Sequence, residues 1–110
     1  MKERSPITTH ILDTSKGRPS TNVPVSLEFE TPEGWTSLAQ GKTDKDGRVE
    51  NLLAPNALID AGNYRLTFDT SQVSSFYPVI QIEFKINKPS EHHHIPLLLS
   101  PFGYTTYRGT

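Results

Sequence analysis

The sequence predicts an all-β fold: a β-sandwich of seven or eight short strands in two sheets, with at most one short helix. Three observations predict it. Apolar and polar residues alternate over short runs, which is the period of a half-buried strand. Gly, Pro, Asn and Asp gather between those runs, where the chain must turn. The pattern is β nearly throughout, and no longer unit repeats.

The elements follow in order. Ile7–Asp13 (ITTHILD) is the first strand, on its β-branched content. Thr14–Asn22 is a loop rich in Ser, Gly, Pro and Asn. Val23, Val25, Leu27 and Phe29 alternate with Pro24, Ser26, Glu28 and Glu30 as the second strand. Pro32-Glu33-Gly34 turns the chain into a third, Trp35–Lys42. Thr43–Gly47 is a tight turn that closes on Asp46-Gly47. A short fourth strand covers Arg48–Leu53, and Ala54–Asn63 is a loop with room for one helical turn. Tyr64, Leu66 and Phe68 alternate with Arg65, Thr67 and Asp69 in the fifth. Thr70–Tyr77 is a connector with room for a brief helix. Val79–Ile86 is the sixth strand and His92–Leu99 the seventh; Ser100–Gly103 then turns into a last strand, Tyr104–Tyr107.

Length and composition bound what such a fold can do. The 110 residues make one domain, 1–110, with residues 1–6 expected as a flexible N-terminus. A chain of this length buries about 65% of its unfolded surface, enough for one core, so association with further copies fits it. Net charge is −1, from 11 basic and 12 acidic residues, so no field of one sign points to nucleic acid or to an anionic membrane. The chain has no Cys, hence no disulfide framework, thiolate metal site or thiol nucleophile. Its first residues lack the apolar stretch of a signal peptide, and no apolar run is long enough to span a membrane. The C-terminus is not a peroxisomal Ser-Lys-Leu signal. The expected location is the cytoplasm, with the peroxisome as the alternative.

Strand alternation sorts the polar residues onto faces. In the seventh strand Ile95, Leu97 and Leu99 share the core face, and His92, His94, Pro96 and Leu98 share the other. In the first, His10 and Leu12 lie opposite Thr9, Ile11 and Asp13; in the last, Thr105 and Tyr107 lie together. A sheet presenting His10, His94 and Tyr107 outward, with Leu12 and Leu98 beside them, is a candidate binding surface and a candidate subunit contact. Histidine titrates near neutral pH, so a pair can activate water and protonate a leaving nitrogen. Arg48, just after the Asp46-Gly47 turn, can hold a carbonyl-rich planar ligand and keep a neighbouring imidazole neutral by charge repulsion. The chain end Tyr107-Arg108-Gly109-Thr110 adds a second guanidinium and two hydroxyls.

Each residue also has a plain structural role open to it. A single His on a strand is commonly a surface or core polar residue, and an Arg after a turn is commonly a solvated charge. Trp35 suits the core or a subunit contact. His92-His93-His94 places two imidazoles on one strand face, as a metal site would, but a zinc site generally needs a third ligand, and His10 is the other histidine in the chain.

Three ordered motifs carry a resemblance. They are Thr9-His10-Ile11-Leu12-Asp13 with Gly17-Arg18-Pro19 and Val23-Pro24-Val25, then Thr43-Asp44-Lys45-Asp46-Gly47-Arg48, then His94 through Tyr104 closed by Tyr107-Arg108-Gly109-Thr110. Over Thr8–Thr110 the chain resembles the 5-hydroxyisourate hydrolase family, the enzyme relatives of transthyretin. The resemblance implies a transthyretin-like β-sandwich and hydrolytic opening of 5-hydroxyisourate on the route from urate to allantoin. It implies His10, Arg48 and His94 as catalytic residues, and Tyr107, Arg108, Gly109 and Thr110 as the substrate-binding tail. It implies a homotetramer, a dimer of dimers with sites in a channel between dimers, acting on a small-molecule substrate without metal or cofactor. The alternative is a non-catalytic transthyretin-like small-ligand binder. Against it, the hormone carrier lacks the catalytic His and Arg and runs on past the tail. The chain departs from the family in three places: Thr110 stands for Ser, His93 for Tyr, and the Thr70–Tyr77 connector is shorter.

Overall fold

A computed structural model describes residues 4–110 and contains no helix among them. Its strands are β1 (Ile7–Asp13), β2 (Arg18–Pro19), β3 (Pro24–Thr31), β4 (Gly34–Lys42), β5 (Arg48–Val49), β6 (Gly62–Asp69), β7 (Val79–Ile86), β8 (His93–Ser100) and β9 (Gly103–Thr106). One sheet runs β2-β1-β8-β9, with β5 also paired to β1; the other runs β4-β3-β6-β7. The sheets are antiparallel except where β1 and β8 pair in parallel. This is the two-sheet β-sandwich that the sequence predicts.

Alternation builds the core as expected. Ile7 and Ile11 of β1 and Leu97 and Leu99 of β8 are fully or almost fully buried, as are Leu27, Leu66, Phe68 and Ile80 of the second sheet. Each such side chain contributes about 1.5–3 kcal/mol by leaving water. Thr9 shares that inward face and satisfies its hydroxyl by donating to the Ile95 carbonyl at 2.6 Å.

Several expectations are corrected. The fifth expected strand begins at Gly62 rather than Tyr64, and residues 54–61 and 70–77 turn without a helix, in keeping with at most one. The fourth strand ends at Val49 because the backbone beyond it engages Ser5: the Ser5 N–H donates to the Glu50 carbonyl (3.1 Å), and the Leu53 N–H donates to the Ser5 hydroxyl (3.2 Å). Ser5 is fully buried, so the flexible terminus expected over 1–6 does not reach it; residues 1–3 lie outside the described residues. The Thr14–Asn22 loop hides β2, a two-residue pairing of Arg18–Pro19 with Leu12 and Asp13. Trp35 sits opposite Glu30 on the outer face of the second sheet rather than in the core, with the Arg65 guanidinium 4.3 Å from its ring centre and held by Glu28 at 2.9 Å.

The β4–β5 turn sets Arg48. One Asp44 carboxylate oxygen accepts the N–H groups of Asp46 (2.8 Å) and Arg48 (3.0 Å), so Asp44 is the turn residue its position predicts. Gly47 has φ +75° and lies against β1; a Cβ there would come within 2.5 Å of the Ile11 carbonyl oxygen and 2.7 Å of Pro19 Cβ. Gly17 has a similar φ, +66°, but open space around it. Gly17→Ala should therefore cost about 1–2 kcal/mol, the left-handed backbone penalty alone. Gly47→Ala should cost a further 1–3 kcal/mol, roughly, because it adds a collision with backbone. Urea midpoints of the two variants check this, and equal losses would refute it.

Candidate active site

The site is assembled by register. Thr8, His10 and Leu12 face outward from β1, the side opposite Ile7, Thr9 and Ile11. In the parallel β1–β8 pair Thr8 lies beside His94 and His10 beside Pro96. On the other flank of β1, His10 lies beside Arg48 of β5. Residues directly opposite in an antiparallel pair have Cβ atoms about 4.5–5.5 Å apart, so Arg48 and His10 are immediate neighbours. The guanidinium and the two imidazoles thus occupy three adjacent strands, β5, β1 and β8.

A cavity of about 260 Å³ opens on this face, lined by Arg4, Thr8, Arg48, Glu50, His94 and Thr110. Larger hollows exist: one of about 580 Å³ bordered by Pro24, Ser26, Gln40 and Lys42 has no imidazole or guanidinium, and one of about 640 Å³ has Arg4 and His92 but neither Arg48 nor His94. Size therefore does not select the site; the chemistry of the lining does.

His94 is half-buried and tightly held. Its Nδ1 lies 2.8 Å from the Thr8 hydroxyl, which is also 2.9 Å from His92 Nε2. The His92 and His94 rings are nearly parallel (16°), their centres 6.3 Å apart. Burial lowers the His94 pKa below its usual 6.5, and the charges of His10 and Arg48 lower it further. Burial also lowers that of His10, followed by the Arg48 guanidinium; a backbone hydrogen bond at Asp46 and the carboxylates of Asp44 and Asp46 oppose the shift in part. Both imidazoles are neutral at neutral pH and available as bases.

The chain end divides. The Gly109 N–H donates to the His94 carbonyl at 2.8 Å, and Thr110 reaches the cavity wall. A Cβ on Gly109 would come within 2.7 Å of His94 Cδ2, so only Gly allows the backbone to lie across that ring. Tyr107 and Arg108 go elsewhere. The chain leaves β9 after Thr106, and both residues border a separate cleft beside His93, Ile95 and residues 82–85 of β7. Arg108 stands 3.6 Å from the Glu91 carboxylate in an exposed ion pair and 3.4 Å from the His92 carbonyl. Strand parity had put Tyr107 on the His94 face; parity fails because the strand stops first. His93 is buried on the opposite face from His94, as its parity predicts.

Of the sequence-derived candidates, Arg48, His94 and Thr110 line the cavity, Gly109 lies against His94, and His10 sits beside Arg48 without lining the cavity; Tyr107 and Arg108 lie elsewhere. Thr8, Glu50 and Arg4 were missed. Thr8 shares parity with His10, and Glu50 with Arg48, so both carried a signal. Arg4 carried none, because the Ser5–Glu50 hydrogen bond that brings this segment in is non-local. Among the described residues, no three of His, Cys, Asp and Glu are grouped to hold a metal ion.

Comparison with known proteins follows the geometry. Residues 7–109 match the model of the HIUase/Transthyretin family. A curated relative, 5-hydroxyisourate hydrolase of Salmonella dublin, is 44% identical over 94% of this chain and 80% of its own length. Among solved structures, sea bream transthyretin in complex with thyroxine superposes with a TM-score of 0.85 at 34% identity, covering 96% of both chains. Klebsiella pneumoniae 5-hydroxyisourate hydrolase gives 0.79 at 37% identity, covering 94% of this chain and 98% of that one.

The lowered pKa values of His10, His92 and His94 carry a stability consequence. Below about pH 6.5 the unfolded chain binds protons that the folded chain refuses, so stability should fall from there until the folded-state values are passed. The lowered carboxylates Asp13 and Asp44 act in a separate window, as pH falls through and below 3.8. Urea unfolding measured across pH checks the sign; a flat profile just below 6.5 would contradict neutral imidazoles in the folded state.

Proposed function

The chain belongs to the HIUase/transthyretin family, and from that premise we propose that it hydrolyses 5-hydroxyisourate. One observation carries the reading: the His94 imidazole, whose charged form burial disfavours, shares a small cavity with Arg48 and Thr110. The named enzymes among its relatives support the same substrate.

In this mechanism water attacks the carbonyl carbon of the six-membered ring as His94 Nε2 takes its proton. Arg48 and His10 orient the substrate and stabilise the negative charge that develops on the carbonyl oxygen. The ring C–N bond breaks, and the nitrogen leaves with a proton returned from the imidazolium. The new carboxylate belongs to 2-oxo-4-hydroxy-4-carboxy-5-ureidoimidazoline, the product expected in urate degradation. The Thr110 hydroxyl, presented at the cavity by Gly109, holds a ring carbonyl. No step calls for a metal or cofactor.

We further propose a homotetramer, a dimer of dimers that pairs this face across subunits. The cavity in one chain is small, and Arg48 and Thr110 on its wall are exposed, so a second copy would complete its enclosure. Light scattering should give four times the mass of one chain.

A second reading, small-ligand binding without turnover, is favoured by the fold likeness to the thyroxine-bound transthyretin. The deciding assay oxidises urate in place and follows decay of the unstable product with and without the protein. The wild type should accelerate decay, indifferent to chelators. His94→Ala should lower the rate by about 10²–10⁴, the usual worth of a general base, with the tetramer intact. Arg48→Ala should lose activity as well. Wild-type turnover in both variants would remove these residues from the reaction, and no turnover in the wild type would leave the binding reading. Gly109→Ala, which collides with the His94 ring, should lower the rate while barely moving the melting temperature.

A further inference from the structure

The Thr8 hydroxyl has an unusual position: it lies within hydrogen-bond distance of two imidazoles at once, at 2.9 Å from His92 Nε2 and 2.8 Å from His94 Nδ1. We propose that Thr8 is a positioning residue that locks His94 with its hydrogen on Nδ1, leaving Nε2 bare to accept a proton. This rests on the reading of His94 as the general base.

The lock follows from counting hydrogens. A hydroxyl has one hydrogen to give and lone pairs to receive with. If it donates to His92 Nε2, it must accept from His94 Nδ1–H; if it donates to His94 Nδ1, it must accept from His92 Nε2–H. Accepting from both rings would leave the hydroxyl hydrogen of this buried residue without an acceptor among the described residues, so the two rings carry the same tautomer, both Nδ1–H or both Nε2–H, and Thr8 couples them. The surroundings choose between the two arrangements. Among the described residues His94 Nε2 has no hydrogen-bond partner. The cavity beside the ring holds the Arg4 and Arg48 guanidinium groups with the Glu50 carboxylate and Thr110, and the two guanidinium groups act on the ring ahead of Glu50. Guanidinium offers donors only, so a bare nitrogen there is favoured over an N–H. His94 then carries its hydrogen on Nδ1, and the Thr8 hydrogen points to His92.

His92 does not line the His94 cavity. It borders a different hollow, with Arg4, Pro6, Leu58 and Glu91, and Thr8 is its hydrogen-bonded link to His94. The arrangement is built rather than incidental. Thr8 is 3% exposed, its place beside His94 is fixed by the parallel register, and alternation puts His92 on the same face one step away.

Long-range nitrogen–proton NMR of the histidine-labelled protein, at a pH where His94 is neutral, reads the ring state directly. His94 should show a protonated Nδ1 and a bare Nε2, and His92 the same tautomer, its bare Nε2 accepting from Thr8. In Thr8→Val, which keeps the shape and removes the hydroxyl, that preference should disappear, and kcat should fall about 10- to 100-fold with KM little changed. Thr8→Ser, which restores the hydroxyl, should recover both the ring state and the rate. A protonated Nε2 on His94 in the wild type overturns the proposal, and so does a Thr8→Val protein with unaltered ring state and kcat. An inactive wild type that still shows the bare Nε2 would sink the assigned reaction and leave the Thr8 lock standing.

Discussion

The parallel pairing of β1 with β8 is the constraint on which the molecule depends. Seven consecutive residues of each strand lie side by side, from Ile7 and His93 to Asp13 and Leu99, although more than eighty residues of chain separate the partners. The pairing does two things with one set of hydrogen bonds. It turns Ile7, Ile11, Leu97 and Leu99 inward to close the core between the sheets. It also turns Thr8, His10 and His94 outward into a single polar row. Because side chains alternate strictly, a slip of one residue would exchange those sets, burying imidazoles and exposing isoleucines. Core and chemistry are therefore fixed by the same register.

Electrostatics on the polar face follows from that geometry. Burial beneath neighbouring strands and the adjacent Arg48 act in the same direction on the His10 and His94 rings, both disfavouring the charged form. The turn carboxylates Asp44 and Asp46 pull the other way at His10, and Glu50 does so at His94. Burial, helped by a cationic side chain at the edge of the patch, thus disfavours the charged form of both rings.

Much of this was legible in the residues. Period-two runs such as Val23–Phe29 and Tyr64–Phe68 marked strands whose inward residues are buried, Phe29 only in part, and parity alone put His94 and His93 on opposite faces. The motifs around His10, Arg48 and His94 identified the polar row before any coordinates. What escaped had long-range causes. The shortening of the Arg48–Leu53 strand and the approach of Arg4 depend on Ser5 meeting the Glu50 backbone, a contact with no local signature. Thr8 had the right parity, but its role needs the β1–β8 pairing, which alternation does not reveal. Tyr107 was assigned to the His94 face by extending a strand one residue too far, and the conformation beyond Thr106 sends it to another cleft. Trp35 suited the core or a subunit contact by its size; it lies on the outer face, where cation–π contact with Arg65 makes exposure tolerable.

That last arrangement bears on how the protein can be observed. Trp35 is the sole tryptophan, and it sits on the outer surface of the sheet that does not carry the imidazoles, pinned under Arg65 and Glu28. Its emission is an optical report on the integrity of the β3–β4–β6 layer. The same fluorophore is poorly sited to sense occupancy around His94, so spectroscopic titrations of that region need a chromophore of their own.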